Sequence, residues 1–102
     1  MAHPMPPVVE VFGKPDCHLC EEAKRLLQAL QAVHSFTLRE INIATDESLQ
    51  TQFGEEIPVV FINGRKAFKY RIEGTQFVRR LQRAQGETQS TWWQRLWRWK
   101  DV

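Results

Sequence analysis

Cysteine is scarce in this chain. There are two among 102 residues, Cys17 and Cys20, with two residues between them. A disulfide-stapled scaffold needs more cysteines at wider spacing. A bridge this short also restricts the unfolded chain little, so stapling is not its purpose. Long apolar runs are lacking as well, and no stretch approaches the roughly 18 residues of a membrane-spanning helix. Residues 1–7, with Pro4, Pro6 and Pro7, have no basic region followed by an apolar one. They read as a flexible lead-in rather than a secretory signal. A strong net charge is missing too, the formal value being +2. What remains is an ordinary globular composition, 42% hydrophobic and 25% charged, in a length that suits one domain with a modest core. The closely spaced cysteine pair fits a reducing compartment, so a cytoplasmic location is expected.

The small net charge hides an uneven distribution. Residues 1–64 carry a balance of −5, residues 65–83 a balance of +6, and residues 84–102 a balance of +1. The basic stretch suits an acidic protein partner or nucleic acid. The plainer reading, a solvated helix face around Arg79, Arg80 and Arg83, is preferred.

The pattern predicts the order β-α-β-α-β-β-α. Val8 to Phe12 is short and β-branched, as in a strand, and Gly13-Lys14-Pro15-Asp16 breaks it. A helix opens near Cys17, with Leu19, Ala23, Leu26, Leu27, Leu30 and Val33 on one face. Phe36 to Ile43 reads as a strand, Asp46 to Phe53 as a short helix ended by Gly54. Val59 to Ile62 is continuously apolar, as in a strand covered on both faces. Asn63-Gly64 signals a hairpin into Arg65 to Ile72, whose cations suit a sheet edge. A last helix spans about Thr75 to Ala84. Helical connections favour parallel pairing of the first three strands, and the final pair is antiparallel. The result is a small mixed α/β sheet with helices on both faces.

The chemistry concentrates at Cys17-His18-Leu19-Cys20. A helix N-terminus offers unpaired N–H groups and the positive end of the dipole, which favour a thiolate. Cys17 stands at that end and is the expected nucleophile. Cys20 lies a turn inside, near the apolar face, and is the expected resolving thiol. Lys14 adds positive potential. Attack by Cys17 on a substrate disulfide gives a mixed disulfide, which Cys20 resolves. A lone C-x-x-C also fits half a zinc site or two incidental core cysteines. His3, His18 and His34 supply no obvious second ligand pair.

Ile57-Pro58 precedes the apolar strand Val59 to Ile62 and lies well beyond the cysteines in sequence. A strand ending in Phe12-Gly13-Lys14-Pro15-Asp16, a C-x-x-C opening a helix, and Ile57-Pro58-Val59-Val60-Phe61-Ile62-Asn63-Gly64 together resemble a glutaredoxin. More narrowly, the chain is similar to the glutaredoxin-like branch of the thioredoxin superfamily. The resemblance covers residues 8–84 and implies a thioredoxin-like fold and thiol–disulfide oxidoreductase activity. It implies a cis Pro58 facing the cysteines, and an Ile57 backbone that bonds the substrate chain. The expected substrate-binding set is Lys14, His18, Leu19, Ile57 and Pro58. Proline at a strand start is also an ordinary position, and His18 reads equally as a cation that stabilises the Cys17 thiolate or as an exposed helix-start histidine without a role.

Departures from the family shape the reading. His18-Leu19 stands where Pro-Tyr is usual, and Glu56 where threonine is frequent. Val11 takes the place of thioredoxin's buried acid. The Gly-Gly and acidic pair that help hold glutathione are missing, the stretch reading Phe68-Lys69-Tyr70-Arg71-Ile72-Glu73-Gly74-Thr75. Glutathione is therefore one candidate co-substrate and not the assigned one. No metal and no tightly bound cofactor are expected. The substrate class is a protein or low-molecular-weight disulfide, the protein is expected to be a monomer, and no nucleic-acid partner is assigned. The competing readings are a metal or iron–sulfur carrier using the same cysteines across a dimer, and a redox-inactive docking module.

Residues 85–102 read as a polar linker and a Trp-rich tail, containing Trp92, Trp93, Trp97 and Trp99 interleaved with Arg95, Arg98 and Lys100. As a helix, this tail would suit a membrane surface or partner. Folding back over the domain is preferred, because large aromatics gain most from burial.

Overall fold

The structure is a computed structural model that describes residues 6–86. Its elements run β1 (Val8–Gly13), α1 (His18–Gln31), β2 (Thr37–Asn42), α2 (Glu47–Phe53), β3 (Val59–Ile62), β4 (Arg65–Lys69) and α3 (Gly74–Ala84). A single 3₁₀ turn, Ile43–Thr45, lies between β2 and α2. The four strands form one sheet in the order β2-β1-β3-β4.

The sheet separates two apolar clusters. Val9 and Val11 of β1, with Val60 and Ile62 of β3, face Leu27 of α1 and Phe77 and Leu81 of α3. The alternate residues Phe12, Val59 and Phe61 pack with Ile43 and with Phe53 of α2. This period-2 division puts helices on both faces. In the second cluster, the Phe12 ring lies 4.9 Å from that of Phe53 and 5.4 Å from that of Phe61. Glu10 shares this face, is fully buried, and has Arg39 of the neighbouring strand 3.3 Å away.

The direction of β3 corrects the sequence-based expectation. β1 and β2 are parallel, but β3 runs antiparallel to β1, with Phe12 opposite Val59 and Val9 opposite Ile62. The reason is length. A parallel crossover must return the chain along a six-residue strand, roughly 20 Å. The seven-residue helix α2 covers only about 10 Å. The chain therefore enters β3 at the end where β2 left it. That end also holds the C-terminus of β1 and the start of α1, so the topology brings the Ile57-Pro58 loop to the end of the sheet that carries the cysteines.

Other boundaries move for local reasons. β2 spans Thr37–Asn42 only, because Ile43 opens the 3₁₀ turn, capped by the Asn42 side chain accepting from the Ala44 N–H. Val33 lies beyond the end of α1 and is 78% exposed, so it leaves the buried stripe. β4 stops at Lys69 instead of Ile72, because Tyr70 takes a positive φ of 69° that breaks the extended backbone. The hairpin itself follows the Asn-Gly signal, with φ of 49° at Asn63 and 79° at Gly64. Asn63 also does something not foreseen. Its buried side chain accepts the Val8 N–H at 2.8 Å and donates to the Ala84 carbonyl at 3.2 Å. It thereby ties the start of β1, the hairpin and the end of α3. The Trp-rich tail lies outside the described residues.

Candidate functional site

Cys17 is the N-cap of α1, with the extended dihedrals that position requires. Its carbonyl accepts the Glu21 N–H at 3.1 Å, and its Sγ accepts the Cys20 N–H at 3.2 Å. The sulfur thus sits among the unpaired N–H groups of the first turn, where negative charge is favoured. Cys17 is partly exposed, whereas Cys20 is fully buried. The two are joined as a disulfide, their Cα atoms 5.1 Å apart.

Gly13, at the end of β1, faces this pair. A Cβ placed on Gly13 would lie 2.9 Å from the Cys20 Sγ. Only glycine lets β1 pass this close to the sulfur. On the sequence, Gly13 reads merely as a strand terminator; its contact with Cys20 depends on the docking of α1.

Ile57 and Pro58 are both buried, and the peptide bond between them is cis. Ile57 packs in the same cluster as Cys20 and Phe12, with Cys17 at its margin. The loop is tied to the segment after β4. The Tyr70 N–H donates to the Pro58 carbonyl at 2.9 Å and to the Glu56 carbonyl at 3.3 Å. The Glu56 carboxylate holds Lys66 at 2.6 Å and Lys69 at 3.8 Å. The hydrogen bond from Lys66, aided by both ammonium charges, pulls its pKa below the ordinary 4.5.

The remaining expected site residues spread apart. Leu19 is half-buried and opens a groove of about 160 Å3 with Glu22, Ala23, Leu26, Tyr70, Arg71 and Ile72. Lys14 is exposed and lines a cavity of about 440 Å3 with Ile43, Ala44, Gln50 and Gly54. His18 points outward, 83% exposed, with its Nε2 3.3 Å from the Glu22 carboxylate one turn along. Among the described residues, no group of three or more His, Cys, Asp or Glu could hold a metal ion. No helix among them is long and apolar enough to cross a membrane.

A disulfide at the N-cap of the first helix, at the same end of the sheet as a cis-proline that opens an antiparallel central strand, places the chain in the thioredoxin-like class of α/β proteins. Comparison with known proteins sharpens this. Residues 8–82 match the family described as Glutaredoxin-like domain (DUF836), and the chain belongs to that family. It is 31% identical over 71 residues to the Glutaredoxin-like protein YDR286C homolog of Dictyostelium discoideum, a match covering 64% of this chain and 66% of that one. The match thus spans just under two thirds of the relative. Among solved structures, protein Ne2328 from Nitrosomonas europaea is similar at 31% identity and a TM-score of 0.66, over 74% of this chain and 92% of that one. Protein XcR50 from X. campestris shares the fold at 19% identity and a TM-score of 0.63, over 74% and 96% of the two chains. Membership and the Cys17–Cys20 pair together point to thiol redox chemistry.

Proposed function

We propose that this protein is a dithiol–disulfide oxidoreductase in which Cys17 is the nucleophile and Cys20 the resolving thiol. The difference between the two sulfurs carries the reading: one caps a helix at the surface, the other is buried directly behind it. In the reduced protein, the Cys20 N–H and the first-turn dipole stabilise a Cys17 thiolate. That thiolate attacks one sulfur of a substrate disulfide. A Cys17–substrate bond forms, the substrate S–S bond breaks, and the leaving thiolate takes a proton from solvent. Cys20, as thiolate, then attacks the Cys17 sulfur. The Cys17–Cys20 bond forms and the second substrate thiol leaves, so two electrons have passed from the protein to the substrate.

Regeneration needs two electrons from an external thiol reductant, either a low-molecular-weight thiol such as glutathione or a dithiol protein. A reducing, cytoplasm-like compartment supplies such thiols. Ile57 packs in one cluster with Cys20 and Cys17, and its backbone, with Pro58 next to it, is the surface on which the substrate chain would lie beside Cys17. Lys14 stands at the turn before Cys17, where its charge favours anionic species.

The test is direct. The prereduced protein, freed of reductant, is mixed with hydroxyethyl disulfide. Loss of both protein thiols with formation of the internal disulfide is expected. Retention of free thiols under conditions where the fold is intact would remove the reading.

A further inference from the structure

The segment between β4 and α3 has features that the exchange chemistry alone does not require. Tyr70 holds an αL backbone, φ 69°, a conformation that side-chain-bearing residues avoid. Such conformations persist where surrounding contacts enforce them and concentrate at functional sites. Here the enforcing contacts lead to the site itself, the Tyr70 N–H bonding the carbonyls of Pro58 and Glu56. Tyr70 is 45% exposed, although it is large and aromatic. Exposed aromatics at the mouth of a site are common anchors for partners.

The groove that this segment forms with α1 starts at Leu19, inside the cysteine motif. Its apolar lining is Leu19, Ala23, Leu26 and Ile72. Its volume, about 160 Å3, is well below that of pockets that enclose whole small molecules, roughly 300–1,000 Å3. It has room for side chains flanking a reacting cysteine. The charges at its walls are distinct. Glu22 lies 3.3 Å from His18 of its own helix, a contact that is an ion pair only when the histidine is protonated. Lys66 and Lys69, which lie outside this lining, are engaged by Glu56. Arg71 is exposed and, among the described residues, has no carboxylate within 4.0 Å. Its guanidinium fork is suited to a carboxylate.

We propose that this groove selects the substrate, and that it takes a polypeptide disulfide whose reactive cysteine is flanked by an apolar residue and a carboxylate. The apolar side chain seats on Leu19, Ala23, Leu26 and Ile72, and the carboxylate meets Arg71. Tyr70 fixes the outer wall by its bond to Pro58, so selection and chemistry share one rigid loop. The proposal rests on the exchange reading above.

The test uses the full chain, prereduced with dithiothreitol and then freed of it, in single turnover at low ionic strength. The probes are short peptides whose cysteine is disulfide-linked to a chromogenic aryl thiol and flanked by Leu-Glu, Leu-Lys or Gly-Gln. The glutathione mixed disulfide with the same aryl thiol is a fourth probe, and hydroxyethyl disulfide reports the exchange chemistry alone. The Leu-Glu peptide should react about fivefold faster than the Leu-Lys peptide, the size expected when one exposed ion pair replaces a like-charge contact. Salt should compress that ratio, and Arg71→Glu should invert it. The Gly-Gln peptide and the glutathione probe should fall below the Leu-Glu peptide. Equal rates for all peptides, a preference that survives Arg71→Glu, or a glutathione probe that outpaces the Leu-Glu peptide would overturn the proposal while leaving the exchange reading intact. Failure to reduce even hydroxyethyl disulfide would remove both.

Discussion

The Pro58 carbonyl accepts a hydrogen bond from the Tyr70 N–H at 2.9 Å, so the loop that borders the cysteines is fastened to the residue that ends β4. The fastening holds Tyr70 in a left-handed backbone. In that conformation a Cβ costs roughly 1–2 kcal/mol, and glycine avoids the cost. Tyr70→Gly is therefore expected to be about 1 kcal/mol more stable than Tyr70→Ala, net of glycine's greater unfolded-state entropy. Urea denaturation of the two variants measures the difference. A less stable glycine variant would show that Tyr70 does not carry this strain.

Gly13 sits against the resolving sulfur. A methyl group there would lie 2.9 Å from Cys20 Sγ in a fully buried setting. Gly13→Ala should cost about 1–3 kcal/mol, as overpacking does. It should also displace Cys20 more than Cys17, slowing resolution of a mixed disulfide while leaving its formation near the wild-type rate. Stopped-flow detection of the two steps separates these effects. Unchanged resolution would mean that the contact is easily relieved.

Asn63 joins three elements through one buried amide. Asn63→Ala leaves the Val8 N–H and the Ala84 carbonyl without their partner. It also places a Cβ-only residue at φ 49°. A loss on the order of 2 kcal/mol follows from the unmade hydrogen bonds. Hydrogen exchange should report faster opening at Val8 in particular. A change of a few tenths of a kcal/mol would show that water replaces the amide.

Two carboxylates contribute to the acid behaviour. Glu56 is held below its ordinary value of 4.5 mainly by the Lys66 hydrogen bond. Glu73, the N-cap of α3, is held below 4.5 by the N–H groups of Gln76 and Thr75. Both pKa values are depressed in the folded state, so near these values the unfolded chain binds more protons. Their stabilisation is complete above the unfolded pKa and disappears as pH falls through the folded one. The thermal midpoint should drop across that acid window, and the drop should shrink in Glu56→Gln and Glu73→Gln. Salt should reduce the Glu56 part, because that pair is exposed. An unchanged acid slope in both variants would assign the behaviour to other groups.

Much of the fold is legible because it depends on local pattern. The N-cap place of Cys17, the buried run Val59 to Ile62 and the Asn63-Gly64 turn are each set by a few neighbouring residues. Cys20 falls on the buried stripe of α1 by the same helical period that places Ala23 and Leu27. What the sequence hides is non-local. The antiparallel course of β3 depends on how far α2 can carry the chain. The bend at Tyr70 depends on carbonyls contributed by Glu56 and Pro58. The site separates in the same way. Cys17, Cys20 and Ile57 meet in one cluster. Lys14 and Leu19, close in sequence, face different cavities, because the turn and the helix diverge between them. The basic stretch 65–83 likewise divides, Lys66 and Lys69 pairing with Glu56 while Arg65, Arg80 and Arg83 line a separate cavity.

The distinct roles of the two sulfurs are the centre of the account, and trapping tests them most directly. Prereduced Cys20→Ser and Cys17→Ser proteins are each mixed with a disulfide substrate, and the products are read by intact-mass and peptide mass spectrometry. Cys20→Ser is expected to accumulate a stable mixed disulfide on Cys17. Cys17→Ser is expected to form no adduct on the buried Cys20 on the same timescale and to show no turnover. Dithiol-like activity in Cys17→Ser, or an adduct that forms as readily on Cys20 as on Cys17, would contradict the assignment.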